Sequence, residues 1–315
     1  MKIAVLGAGA MGSLFGSYLS QKNDVLMVDI NGALIDTINV DGITVQEPDG
    51  SSSVFCPRAV TQTTGLAPVD LIIVFVKAMC SRAALRENSG LIGPDTFLMT
   101  LQNGSGHEET LLDFVDRDHV AIGTTQHNSA VCAPGVILHG GSGQTHIGSL
   151  NGHVGHLQPI ADVFTACGLP TDCSSAVNKL IWEKLFTNVS ASALTAALQV
   201  PLGFIASDPH AWALCEHLIS EAVTVANADG MDFDVKQKIA EVRAVCENNP
   251  VGITSICADI RAGRRTEVDT ISGSVVRAGR RNGTPAPCHE MLVQLIHALE
   301  AKPSEDPVLS VRQTG

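Results

Sequence analysis

A chain of 315 residues is longer than one hydrophobic core usually serves, so two domains are expected. Twenty Lys and Arg stand against 32 Asp and Glu, a formal charge of −12, which argues against nucleic acid or an anionic membrane as partner because both need a basic face. Nine scattered cysteines form no CxxC pair and no Cys/His group at metal spacing, so neither a disulfide framework nor a metal is expected. With no secretory-type start, the chain is expected in the cytoplasm.

Residues 3–6 form an apolar run of strand length, and Gly7, Gly9 and Gly12 follow as G-x-G-x-x-G. In that pattern the first glycine allows a tight strand-to-helix turn, the second lets backbone approach a pyrophosphate, and the third lets helix and strand pack closely. Residues 13–22 read as a helix whose free N–H groups and positive dipole end face that pyrophosphate. A second strand, 25–28, ends in Asp29, 22 residues after Gly7, where an acid accepts from an adenosine ribose with free hydroxyls. Gly7, Ala8, Gly9, Ala10, Met11, Gly12 and Asp29 are the expected dinucleotide contacts.

A helical pattern follows near 32–40, then a hairpin pair, 43–45 and 54–56, around the turn at Pro48-Asp49-Gly50. Residues 71–76 are wholly apolar, as in a strand buried on both faces of a parallel sheet, and lead to Lys77 and a helix near 80–87. Residues 96–101 form another strand ending in Gln102-Asn103-Gly104. Residues 120–124 and 136–148 are expected to complete the sheet, the latter antiparallel. Near 173 the character changes, and helices are expected at 178–198, 209–229, 234–247, 254–262, 266–281 and near 288–301, with a frayed tail from Pro303. The expected architecture is an α/β dinucleotide-binding domain over 1–173 and an all-helical domain over 174–315.

The helix 180–198 is mostly apolar, yet Lys184, Asn188 and Ser192 recur at four-residue spacing on one face. Either Lys184 snorkels beside two tolerated polar neighbours, or an ammonium poised to donate a proton is flanked by groups that hydrogen-bond a polar substrate. Ser255 opens one short helix. Thr266 with Asp269 reads as a capping box for the next, which leaves Glu267 as a first-turn acid or as a site residue. Asn103 and Lys77 follow sheet strands, as ordinary turn residues or as cofactor contacts at the carboxyl edge.

Taken together, the GAGAMG loop, the strand end Val74-Phe75-Val76-Lys77, Gln102-Asn103-Gly104, Ile181-Trp182-Glu183-Lys184…Asn188 and Ser255…Asp259-Ile260-Arg261…Thr266-Glu267-Val268-Asp269 resemble the ketopantoate reductase (2-dehydropantoate 2-reductase) family from residue 1 to about residue 290. The resemblance implies a Rossmann-type domain followed by an all-α domain of the 6-phosphogluconate dehydrogenase kind. It also implies hydride transfer from NAD(P)H to a 2-oxo acid. It makes Lys184 the proton donor and Glu267 the group that binds the substrate hydroxyl and keeps the lysine charged. Asn188 and Ser255 would hold substrate oxygens, with Asn103 and Lys77 beside the nicotinamide half.

The chain departs from the family's pattern twice. Many members carry a second Asn where Ser192 stands, so the substrate's hydroxyl arm is expected to differ. NADPH-using members usually carry an arginine near the end of the second strand; here no Lys or Arg lies between Lys22 and Arg58, and NADH preference is expected over NADPH. The alternatives are a β-hydroxyacid dehydrogenase-like enzyme, a paralogue acting on another 2-oxo acid or lactone, and a non-catalytic dinucleotide-binding protein. A homodimer is compatible with each.

Overall fold

The computed structural model describes residues 1–302 and divides into two compact units, Met1–Ile181 and a second that begins at Trp182. The expected frayed tail from Pro303 lies outside the described residues. No helix among the described residues is long and apolar enough to cross a membrane.

The first unit runs β1 (Lys2–Leu6), α1 (Ala10–Ser20), β2 (Asp24–Val28), α2 (Gly32–Asp41), β3 (Ile43–Gln46), β4 (Ser52–Phe55), β5 (Arg58–Val60), β6 (Leu71–Val74), α3 (Ser81–Glu87), β7 (Phe97–Thr100), α4 (Glu108–Leu111), β8 (Val120–Thr125), β9 (Asn128–Ala133), β10 (Val136–Gly141), β11 (Thr145–Ser149), α5 (Gln158–Ala166) and β12 (Thr171–Cys173), and α6 (Val177–Thr187) begins in it. Its main sheet has eight strands in the order β12-β11-β8-β7-β6-β1-β2-β5. The strands from β5 to β8 across that order pair in parallel, β11 runs antiparallel to β8, and β12 pairs in parallel with β11. Alternation along β1 and β6 sends Ile3, Val5, Leu71 and Ile73 into one apolar layer and Ala4, Leu6, Ile72 and Val74 into the other. This is why the run at 71–76 carries no polar position in its strand.

The hairpin β3–β4 forms as expected, but not in the main sheet. It joins β10 and β9 in a second sheet of four strands, ordered β4-β3-β10-β9. The segment 136–148 therefore splits: β10 belongs to the second sheet and only β11 extends the first. A partly buried polar chain ties this second sheet to α1. The Tyr18 hydroxyl donates to Glu47 Oε1 at 2.6 Å, Glu47 Oε2 lies 2.9 Å from His139 Nδ1, and His139 Nε2 lies 3.0 Å from His127 Nδ1. Both imidazoles are buried. Burial and the neighbouring His139 push His127 below its usual pKa; burial and Glu47 push the Tyr18 phenol up.

In the second unit α6 runs into α7 (Ala193–Leu198), followed by α8 (Leu202–Ser207), α9 (Pro209–Ala228), α10 (Val235–Asn248), α11 (Ser255–Arg261), α12 (Ser272–Asn282) and α13 (Pro287–Glu300) around a core that includes Phe186, Val189, Trp212, Ile219 and Val275. The helix expected over 266–281 starts only at Ser272. Thr266 does not cap it: the Thr266 hydroxyl donates to Glu300 at 2.6 Å and takes the Val268 N–H at 3.2 Å, so residues 266–271 form turns.

Candidate active site

The glycine loop between β1 and α1 shows why those positions carry no side chain. Gly7 sits at φ +100°, and an added Cβ would stand 2.7 Å from the Val76 nitrogen at the end of β6. A Cβ on Gly12 would stand 1.8 Å from the Gly7 carbonyl oxygen, so Gly12 protects the turn itself. The helix–strand approach expected of Gly12 belongs instead to Gly16, whose Cβ would meet Met27 Sδ of β2 at 2.2 Å. Ala8 is buried, and Ala10 and Met11 are half-buried at the start of α1. The Ser13 hydroxyl braces the loop by donating to the Ala8 carbonyl at 2.9 Å.

Gly9 is different, because nothing lies within 4 Å of where its Cβ would be. It is also the N-cap residue of α1, and no side chain caps the helix there. Open space at an N-terminus of backbone donors fits a pyrophosphate. Gly12→Ala is therefore expected to push the Gly7 carbonyl aside and to weaken NADH binding at least about tenfold, by nicotinamide fluorescence titration. Unchanged affinity would show that the loop does not hold the cofactor.

Asp29 ends β2 with its carboxylate fixed: Oδ2 accepts from Ala8 N at 2.8 Å and Oδ1 from Asn31 N at 2.9 Å. It thus ties the glycine loop to the β2–α2 turn and retains lone pairs toward solvent. That turn reads Asp29-Ile30-Asn31-Gly32, with Ile30 exposed and Asn31 capping α2 through Leu34 N at 3.2 Å. Lys77 and Asn103 lie just past β6 and β7 at the sheet's carboxyl edge, both half-buried.

A residue to which sequence reasoning gave no role, Gln102, joins their two segments. Its amide donates to the Val76 carbonyl and, at 3.0 Å, to Ser81 Oγ of α3, while its oxygen accepts from Thr100 Oγ1 at 2.8 Å. A glutamine at a strand end was the available signal.

In the second unit the helix expected as one piece, 178–198, contains a π-helical turn, Asn188–Ser192, between α6 and α7. Local hydroxyls occupy carbonyls of the helix ladder there: Ser190 Oγ donates to the Phe186 carbonyl at 2.5 Å and Thr195 Oγ1 to the Ser192 carbonyl at 2.7 Å. The turn has a geometric effect. Four residues overshoot a full α-helical rotation by about 40°, so Asn188 drifts from Lys184. The wider turn then rotates less per residue and swings Ser192 back into line.

Ser255 is brought to the same place, because α11 packs on this turn and on α7. Thr254, the N-cap of α11, meets Thr195 Oγ1 at 2.7 Å and donates to the Ser192 carbonyl at 3.4 Å. Thr254 and Thr195 were not singled out from sequence; as neighbours of Ser255 and Ser192 they were legible only as polar residues in apolar stretches. The Arg261 guanidinium secures the C-terminus of α7 by donating to the Gln199 carbonyl at 3.0 Å, where Gln199 adopts φ 58°.

Lys184 is exposed on its helix, yet enough protein surrounds its ammonium that desolvation lowers its pKa to about 8. Burial on this helix falls on Trp182, Leu185, Phe186 and Val189. Asn188 is half-buried, Ser192 buried and Ser255 exposed at the start of α11. Glu267 is half-buried in the turn before α12, between the buried Thr266 and Val268.

A family model described as ketopantoate reductase PanE/ApbA matches residues 3–152, and its C-terminal counterpart matches residues 176–300. The chain belongs to the ketopantoate reductase family. A 2-dehydropantoate 2-reductase of Halobacterium salinarum is 31% identical over 303 residues, covering 94% of this chain and 98% of that protein. One from Pyrococcus horikoshii is 29% identical, covering 96% and 98%. Among solved structures, D-mandelate dehydrogenase in ternary complex with NADH and anilino(oxo)acetate superposes with a TM-score of 0.88 at 30% identity, covering 96% of this chain and 99% of that one. The 2-dehydropantoate 2-reductase of Geobacter metallireducens gives 0.87 at 25% identity, covering 95% and 99%. This family member thus has the Rossmann-type α/β fold followed by helices, and it is an NAD(P)-dependent oxidoreductase.

Proposed function

We propose that this family member reduces 2-dehydropantoate to pantoate, with the proton from Lys184 and with NADH as the preferred cofactor. Bound NADH supplies the hydride, and this chain's residues orient, bind and protonate. The observation that carries the reading is the Lys184 ammonium, its pKa brought to about 8 by the surrounding protein, one helical turn from Asn188. An ammonium beside a forming alkoxide first stabilises the negative charge and then neutralises it, and a pKa near the working pH suits a donor that must reload.

In this reading Asn188, Ser192 and Ser255 hold substrate oxygens, Ser255 on the carboxylate side. Glu267 takes the substrate hydroxyl and favours the charged lysine. Lys77 and Asn103 contact the nicotinamide half, with residues 1–173 as the cofactor unit and 174–315 as the substrate unit. NADH preference rests on the Asp29 carboxylate, which would repel a 2′-phosphate, and the D-mandelate dehydrogenase structure with NADH is in keeping with it. A cytoplasmic setting fits nine free thiols.

A second reading keeps the chemistry and changes the acid. Ser192 is shorter than the asparagine many members carry, and a relative at 30% identity is a D-mandelate dehydrogenase, so a 2-oxo acid with an aryl arm is the rival substrate. A reduction screen with ketopantoate and phenyl-substituted 2-oxo acids, run separately with NADH and NADPH, decides. The highest kcat/KM is expected for ketopantoate with NADH. A higher value for the aryl acid establishes the second reading, and no turnover of any 2-oxo acid overturns both.

A further inference from the structure

The segment that carries Glu267 is a set of turns rather than a helix: the Glu267 carbonyl accepts from Thr270 N at 3.1 Å and Ile271 N at 3.0 Å. Side chains of α13 and α12 add anchors on either side of Glu267. Glu300 Oε1 accepts from both the Thr266 N–H, at 2.7 Å, and the Thr266 hydroxyl, at 2.6 Å. Glu300 Oε2 lies 2.9 Å from His297 Nδ1, and the other ring nitrogen of His297 lies 3.0 Å from Asp269 Oδ1. Arg277 of α12 donates to the Asp269 carbonyl at 2.6 Å. The residue before Glu267 and the second residue after it are thus held by neighbouring side chains on one helix, while Val268 anchors the turn in the core.

We propose that Glu300 and His297 are positioning residues for Glu267, forming a clamp that is complete only when both ring nitrogens of His297 carry protons. The proposal rests on the assignment of Glu267 to the substrate site. A neutral imidazole donates from one nitrogen only, so it can serve Glu300 or Asp269 but not both. The charged groups facing His297 are Glu300 on its own helix and Asp269 in the turn. Arg277 donates to the Asp269 carbonyl, α7 presents no titratable side chain, and the α9 carboxylate Glu221 is engaged with His289 at the other end of α13. Bonds to Glu300 and Asp269 raise the pKa of His297 against a smaller desolvation effect. The clamp is therefore closed at lower pH and opens as pH rises through the His297 pKa.

The test measures kcat and KM for the 2-oxo acid against pH, NADH affinity by fluorescence, and Tm, in His297→Gln, Glu300→Gln, Thr266→Val, Thr266→Ser and Glu267→Gln. His297→Gln, Glu300→Gln and Thr266→Val are expected to lower kcat/KM about 10- to 100-fold with NADH affinity unchanged, the scale of a misplaced catalytic group. Thr266→Ser, which retains both bonds to Glu300, is expected to stay near wild type. The wild-type pH profile should carry an inflection that His297→Gln lacks. Folded His297→Gln and Thr266→Val proteins with wild-type kcat/KM and an unchanged profile would overturn the clamp. Should Glu300→Gln fail to fold, the Thr266 pair still decides. Full turnover in Glu267→Gln would instead overturn the parent assignment, whatever the clamp variants do.

Discussion

Replacing Lys184 with Ala is expected to lower kcat for 2-oxo acid reduction by about 10²–10⁴-fold, the range of a removed general acid, with NADH binding retained. Retention follows from location: the glycine loop, Asp29, Lys77 and Asn103 all lie in Met1–Ile181, and Lys184 lies beyond it. The pH dependence has a definite sign. The donor must be charged for reduction, so wild-type kcat should hold at lower pH and fall as pH rises through about 8. In the oxidative direction the neutral amine is the active form, and the rate should climb through the same pH. The Ala variant should lose this inflection in both directions. Turnover within a few-fold of wild type would remove Lys184 as donor; loss of catalysis with intact NADH binding excludes a mere dinucleotide-binding module.

Asp29→Ala is expected to reduce the ratio of kcat/KM with NADH to that with NADPH by about tenfold or more. One charge-assisted hydrogen bond is worth about 1.5–3 kcal/mol, and removing the carboxylate also removes its repulsion of a 2′-phosphate. NADH binding itself should weaken further, because Ala8 N and Asn31 N lose their acceptors and the loop loosens. Asp29→Asn is not a conservative control. It offers one oxygen where two backbone N–H groups need acceptors, and turns an amide toward the other. Steady-state kinetics of both variants with both cofactors gives the ratio. A wild-type enzyme faster with NADPH than with NADH would sink the argument from Asp29.

The parts of the molecule legible from sequence are those where one residue type has one physical use. Gly7 is legible because its φ excludes a side chain, and residues 71–74 because a strand covered on both faces tolerates no polar residue. β9 carries no such mark: Asn128–Ala133 is mostly exposed and does not alternate, and β12 is only three residues long. The lysine helix was readable as a helix, but its π turn depends on where the Ser190 and Thr195 hydroxyls point, which periodicity does not encode. The capping box at Thr266 failed for a related reason. Its hydroxyl had a stronger partner, Glu300, 34 residues away, and local pattern cannot weigh a distant carboxylate against a nearby backbone N–H.

The chain Tyr18–Glu47–His139–His127 has an evolutionary consequence. Each member satisfies the next, the two imidazoles buried and Tyr18 and Glu47 half-buried, and Glu47 dictates which nitrogen of each imidazole bears the proton. Removing Glu47 or either histidine leaves a buried ring nitrogen without its partner at a cost of about 1–3 kcal/mol, a sizeable share of a domain's stability. Single replacements along it are therefore steps downhill in fitness, and drift must exchange the group as a block. The four residues should behave as one inherited character, free to change together and nearly frozen one at a time.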